Sequence, residues 1–327
     1  MTRLVAIASK QVQLQELVAC IQHFAVDHAQ LHLFDHQGRV SRDGARATIE
    51  ETCPKVRLDV ASFDIGDRDV IGEIFAPEAD IVAFPLYRSS AFYRKVPKLR
   101  RRSTVVHITD GVGDLFTMWQ LQRAVIAKTP AALIKGALVI PQLYALRADL
   151  EFNLFHPQKT PYAKQSLPVG PFPMTRAKRQ ALHGLLQTKR PEALVIDGFD
   201  LTAARIAESL GLDSYVATRR DGGVDIDGRL YLQDDIICAE EVLALMRPAL
   251  VAGCPSTSLA AARSLYTDLP VFCITTPEAL RIRGPRFNAV FQDYAERFGI
   301  MFSGSSDVSG QFDDLRSLIP SQRRACA

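Results

Sequence analysis

Short apolar runs that stop abruptly at polar turns, each followed by helical periodicity, constrain this chain more than any other feature of its sequence. Leu4–Ala8, Gln30–Phe34, Ile81–Phe84 and Thr104–Ile108 are of this kind in the first half. Ala193–Ile196, Ser214–Thr218, Leu250–Ala252 and Val271–Ile274 repeat the pattern in the second. Between the runs, Val12–Phe24 places Leu14, Leu17, Val18 and Ile21 on one helical face. Leu115–Ala127, Thr202–Leu210, Glu240–Met246, Ser258–Leu265 and Phe287–Phe298 also read as helix. A strand too apolar to alternate is buried on both faces, and strand–helix alternation is how parallel sheets are wound. The class is therefore α/β, built from βαβ units.

At 327 residues the chain exceeds one ordinary core, so two domains are expected. The best connector is the stretch holding Pro157, Pro161, Pro168, Gly170, Pro171 and Pro173, because proline removes backbone donors and favours extended chain. The expected division is 1–155, a connector over 156–173, a second domain over 174–284, and a helix and tail over 285–327 that return to the first domain. An apolar share of 47% and a net charge of +3 describe a soluble globular protein and give no ground for a nucleic-acid partner. The cysteines (Cys20, Cys53, Cys238, Cys254, Cys273, Cys326) form no CxxC pair, as expected of reduced thiols in the cytoplasm. The apolar run at the N-terminus is too short for a signal peptide, and no run is long enough to span a membrane. Arg94–Arg102 carries six cations in nine residues. It is either a solvated face or a peripheral contact for anionic lipid at the inner membrane.

Two strand ends carry chemistry. Thr109-Asp110-Gly111 follows Thr104–Ile108, and carboxyl ends of strands are where open α/β sheets keep their reactive groups. Asp110 is thus a candidate general base, against the plainer role of a helix cap or turn residue. Leu250–Gly253 leads into Ser256-Thr257-Ser258 and a helix start, which suits a phosphate through hydroxyls, backbone N–H groups and the helix dipole. N-capping alone would also explain a serine there. Arg219 and Arg220 follow Ser214–Thr218 and can grip phosphate or carboxylate bidentately, though a solvated turn is the bland alternative. Glu240 and Glu241 open a helix, where carboxylates complement the dipole. His107 lies inside its strand. His23, His28, His32 and His36 cross from helix through loop to strand, so no metal site is expected.

Taken in order, these segments resemble the bacterial lipooligosaccharide sialyltransferases and polysialyltransferases of the GT-B class. Ile7 to Leu14 is similar to the family's first strand and turn, which implies Ser9 and Gln11, with Gly111, on the acceptor side. Thr109-Asp110-Gly111 resembles the motif that carries the general base. Asp235 to Leu243 resembles the segment before the donor-binding strand, which implies a ribose or base contact for Glu240. Ser256-Thr257-Ser258 resembles the motif that holds the donor phosphate, with Arg219 and Arg220 near it. The resemblance implies two Rossmann-like domains facing a central cleft. It further implies inverting transfer of sialic acid or a related nonulosonic acid from a CMP-sugar to a glycan or lipid-linked glycan, with no metal or other cofactor. Homodimers occur in the family. Two departures stand out: Thr109 replaces an acid, and Tyr215 to Asp221 lacks the family's His-Pro pair. A His-Pro does occur as His156-Pro157, inside the expected connector. A catalytically silent binding protein, or a GT-B enzyme using another donor such as CMP-Kdo or a UDP-sugar, are the competing readings.

Overall fold

The computed structural model describes residues 1–34, 40–63, 78–85, 99–109, 147–155, 159–169, 172–189, 192–197, 214–218, 229–231, 239–275, 291–292 and 295–303, with 307, 309–311, 313–315 and 317 beyond them. The chain forms two compact units, Met1–Arg176 and Ala177–Ala327. The first holds strands β1 (Arg3–Ala8), β2 (His28–Phe34), β3 (Arg57–Phe63), β4 (Ile81–Pro85), β5 (Thr104–Ile108), β6 (Ala148–Asn153) and β7 (Ala163–Pro168). Helices α1 (Gln11–His23) and α2 (Arg42–Thr52) belong to it. Its described strands run parallel in the order β3-β2-β1-β4-β5-β6-β7.

The central strands are buried along nearly their whole length, Leu4 to Ala8 and Ile81 to Pro85 being fully covered. That is why they read as unbroken apolar runs. β3 behaves differently. As an edge strand it alternates, burying Leu58 and Val60 while Arg57, Asp59 and Ala61 face outward. Helix α1 lays Leu14, Leu17, Val18 and Ile21 into a core shared with Leu31, Leu33, Val106 and Ile108. Each such side chain stabilises the fold by roughly 1.5–3 kcal/mol. Helix α2 starts at Ser41, whose Oγ accepts from Gly44 N at 2.9 Å, and buries only Ala45, Thr48 and Ile49.

The proline-rich stretch differs from the expected connector. Ala163–Pro168 is strand β7, paired with β6 from Ala148↔Ala163 to Asn153↔Pro168. An edge strand tolerates proline at its last position because no neighbour needs the missing N–H. Part of the proline-rich stretch is therefore sheet edge and not connector.

The second unit contains α3 (Arg176–Lys189), opening at the boundary, then β8 (Ala193–Asp197), β9 (Ser214–Thr218), β10 (Arg229–Tyr231), α4 (Ala239–Met246), β11 (Leu250–Gly253), α5 (Thr257–Leu265), β12 (Val271–Cys273) and β13 (Met301–Phe302). These strands are also parallel, in the order β10-β9-β8-β11-β12-β13. Ala260, Ala261 and Ala262 are fully buried, so α5 seats closely on its surroundings. Arg263 closes the helix: its Nη1 donates to Thr267 O and Leu269 O at 2.5 and 2.9 Å, and its Nε to Phe298 O at 2.8 Å. A cation at a helix C-terminus also complements the dipole. The segment after 285, expected to return to the first domain, adds β13 to this sheet. Its Gln311 exchanges hydrogen bonds of 2.9 and 3.0 Å with the Thr275 backbone. The expected helices at 115–127 and 202–210 lie outside the described residues.

Candidate functional site

In each sheet the strand order reverses at one place, between β1 and β4 in the first unit and between β8 and β11 in the second. Open α/β sheets bind ligands beyond the carboxyl ends of their strands at such reversals. Sequence pattern cannot locate these points, because strand order is a tertiary property.

In the first unit Ser9 follows the carboxyl end of β1, and Gln11 opens α1 with 6% exposure. The first turns of α1 join two strand ends that lie about 10 Å apart across β4. Gln13 Oε1 accepts from Ser9 N at 2.7 Å and from Ser9 Oγ at 3.3 Å, while its Nε2 donates to Thr109 O at 3.4 Å. Glu16, 1% exposed, accepts from Thr109 N at 2.5 Å and from the Thr109 hydroxyl. A buried carboxylate is tolerable only when it is hydrogen-bonded, and Thr109 supplies two donors. Asp110 and Gly111 lie outside the described residues, but Thr109, which precedes them, is held at every polar atom.

Gln13 and Glu16 were missed by sequence reasoning. The available signal was positional: at i, i+3, i+4 and i+7 spacing, Gln13, Glu16, Leu17 and Cys20 form one buried stripe whose N-terminal end is polar. A polar end on a core-facing stripe means that a strand end needs partners there.

A second buried carboxylate uses the same device. Glu151 on β6 accepts from Thr160 N at 2.9 Å, from the Thr160 hydroxyl, and from Asn153 Nδ2 at 3.2 Å. His107 stands beside Glu151 in the sheet register and packs against Tyr162 with ring centroids 5.9 Å apart. His156-Pro157, next in the chain after Phe155, lies outside the described residues.

In the second unit β11 ends at Gly253 and passes through Cys254-Pro255 into the serine turn. Gly253 is required there by close approach: a Cβ would sit 2.3 Å from Ile196 O on β8. Ser256 caps α5, its Oγ accepting from Leu259 N at 3.4 Å. Accepting uses a lone pair and leaves the serine O–H able to donate to an anion. Ser258 is committed elsewhere, since its Oγ donates to Glu240 Oε1 at 2.8 Å and both side chains are buried. Thr257 is half-buried between them. Glu241, in the first turn of α4 as expected, is 1% exposed and receives Lys178 Nζ from α3 at 2.6 Å, a partner the sequence does not indicate. The structure therefore brings together Glu240, Ser256, Thr257 and Ser258. Arg219 and Arg220 follow β9 in the chain and lie outside the described residues, as does Asp234-Asp235.

Of the histidines near the N-terminus, His36 lies outside the described residues and the other three have separate partners. His28 pairs with Asp59 at 2.7 Å, His32 packs edge-on to Phe63, and His23 packs on Phe24 and Phe152. Among the described residues no group of three or more His, Cys, Asp or Glu could hold a metal ion. No helix among them is long and apolar enough to cross a membrane. Of the cationic run, Arg94, Lys95 and Lys98 lie outside the described residues, Leu99 is buried, Arg100 pairs with Asp149 at 3.2 Å, and Arg101 and Arg102 are exposed.

No protein-family model and no curated protein matches the sequence. Among solved structures the chain is similar to UGT71G1 of Medicago truncatula complexed with UDP-glucose, at 9% identity and a TM-score of 0.52, over 97% of this chain and 93% of that one. It also aligns with the wall teichoic acid polymerase TagF soaked with CDPG, at 10% identity and a TM-score of 0.46, over 99% and 89% of the two chains. TcCGT1 in complex with UDP aligns at 10% identity and a TM-score of 0.45, over 98% and 99%. Identity this low speaks for the fold alone. Two doubly wound parallel sheets and a likeness that runs the length of both chains give this protein a GT-B fold of two Rossmann-like units.

Proposed function

We propose that the chain is a glycosyltransferase that moves sialic acid or a related nonulosonic acid from a CMP-activated donor to a glycan or lipid-linked glycan, with inversion and without an essential metal. The observation that carries the reading is the position of the Ser256 turn, a hydroxyl-bearing helix start at the strand-order reversal of the second sheet. Such a turn suits a donor phosphate. Glycosyl transfer as the general activity draws support from the UDP-glucose complex of the fold neighbour.

In this mechanism Asp110 accepts the acceptor hydroxyl's proton as that oxygen attacks the anomeric carbon. The bond from that carbon to the phosphate oxygen breaks in the same displacement, and cytidine monophosphate leaves with the electron pair. Ser256, Thr257 and the first turn of α5 stabilise the departing phosphate, assisted by Arg219 and Arg220. Glu240, with Ser258 on one oxygen, offers its carboxylate to a ribose hydroxyl. Ser9, Gln11 and Gly111 stand on the acceptor side. Tyr215 to Asp221 contains no histidine, and Arg219 and Arg220 do not give up their protons. Leaving-group stabilisation is therefore electrostatic.

Release of CMP from CMP-sialic acid by the purified chain, abolished by Asp110→Ala, is the test. Binding of CMP without turnover would instead favour a silent binding protein, the reading to which the missing histidine points. Turnover of a UDP-sugar or CMP-Kdo alone would keep the transferase and overturn the donor.

A further inference from the structure

We propose that Glu16 is a positioning residue for the Asp110 base, acting through Thr109; the inference rests on the reading of Asp110 as base. The observations are local to the first unit. Thr109 has three polar groups, and all three are held from one helix: N and Oγ1 donate to Glu16, and the carbonyl accepts from Gln13. The 109–110 peptide is planar, so fixing the Thr109 carbonyl also fixes the plane on which the chain enters Asp110. Gln13 meanwhile takes the Ser9 N–H at 2.7 Å, so the carboxyl ends of β1 and β5 are tied to the same helix turn.

Helix α1 is a stiff carrier for this latch. Leu14 and Leu17 anchor the helix in the hydrophobic core of the sheet, and Gln13 and Glu16 are buried with them. Glu16 is separated from Thr109 by 93 residues, so the contact serves no local capping need of the helix. A carboxylate fully removed from water could have been replaced by an apolar residue if packing were its only task. Its two oxygens fix the direction of one backbone segment, the segment that leads to Asp110.

The inference extends to chemistry at Thr109. The acid expected at this position by family resemblance is replaced by a residue that donates twice. Thr109 and Glu16 thus form one hydrogen-bonded unit in which the Glu16 side chain holds the backbone and Asp110 is left as the base.

Five variants test this in the full-length chain: Thr109→Val, Thr109→Ser, Glu16→Gln, Glu16→Ala and Asp110→Asn. Valine keeps the shape of threonine and removes the hydroxyl, so kcat should fall about tenfold or more while the donor KM stays unchanged. Serine restores the hydroxyl and should restore kcat. Glutamine at position 16 can accept from Thr109 N and donate to Thr109 Oγ1, so Glu16→Gln should lie within about threefold of the parent, whereas Glu16→Ala should match Thr109→Val. Amide exchange over the peptide beginning at Thr109 should quicken in Thr109→Val and Glu16→Ala, while parental exchange in peptides covering β2 and β3 shows that each variant is folded. Parent-like kcat in a folded Thr109→Val, with Asp110→Asn inactive, overturns the positioning role and leaves the base assignment standing. Turnover by Asp110→Asn at the parental rate overturns the base assignment and the positioning role with it.

Discussion

Replacing Gly253 by alanine probes the second sheet at its strand-order reversal. The added Cβ would lie 2.3 Å from Ile196 O, and 3.1 Å from both Ile196 C and Ile196 Cβ. Ordinary contact between carbon and a carbonyl oxygen is about 3.3 Å, so β8 and β11 must part by about 1 Å. The obstacle is backbone, so no rotamer change relieves it. Forcing apart a packed pair costs about 1–3 kcal/mol. Two hydrogen bonds at the same place, Cys254 N to Ile196 O at 3.3 Å and Ile274 N to Gly253 O at 2.8 Å, would be strained. Each contributes about 1 kcal/mol. The sum is a destabilisation of about 3–5 kcal/mol, and a lowering of Tm by about 10 °C or more for a unit of this size. Because the chain has two units, the assay should be local: amide exchange of peptides covering 193–197 and 250–254, compared with peptides from the first sheet. Protection should fall in the former and hold in the latter. A Gly253→Ala chain within about 0.5 kcal/mol of the parent in both regions would refute the close-approach argument.

Four further outcomes follow from the same geometry. Ser256→Ala should lose about 1 kcal/mol of stability through the cap and raise the donor KM about tenfold, and stability loss alone would reduce the residue to a cap; urea unfolding and donor kinetics read the two effects. Lys178→Met should destabilise the second unit by about 3–5 kcal/mol, because Glu241 keeps its buried carboxylate but loses its ammonium, and Lys178→Met with Glu241→Leu should recover most of that in calorimetry. Burial would raise the Asp149 pKa, but hydrogen bonds from Lys164, the Val105 N–H and Arg100 outweigh it and hold the carboxyl below its usual range. A depressed folded pKa contributes stability above the unfolded value and loses it as pH falls, so the stability gap between the parent and Asp149→Asn should close between about pH 5 and pH 2 in urea titrations. Burial pushes the Cys20 thiol up to about 12, and burial together with neighbouring Cys254 raises Cys273 well above the thiol range. A disulfide-exchange reagent at about pH 8 should therefore leave Cys20 and Cys273 unmodified until the chain is unfolded in urea.

The α/β class and the positions of β1, β4, β5, β8, β9 and β11 were legible in the sequence, as were α1, α4 and α5. The reason is burial: central parallel strands covered on both faces appear as continuous apolar runs, and a helix on a sheet shows one apolar stripe. Elements that bury little were not legible. β7 is polar and carries Pro168, β3 alternates, and α2 covers the core with only Ala45, Thr48 and Ile49. β6 hid because Glu151 and Asn153 are buried polar residues in a strand, tolerable only through partners at Thr160 and Phe155.

The candidate residues divide in the same way. Ser256, Ser258 and Glu240 were visible as types at a strand end and a helix start, but that Ser258 is committed to Glu240 depends on two helices meeting. Residue types and periodicity, acting over one or two turns, determined which segments become strands and helices and which strand ends carry polar side chains. Strand order, the reversal points and the hold of Glu16 on Thr109 were decided only by tertiary structure, because each joins residues whose attraction exists only once a sheet has assembled between them.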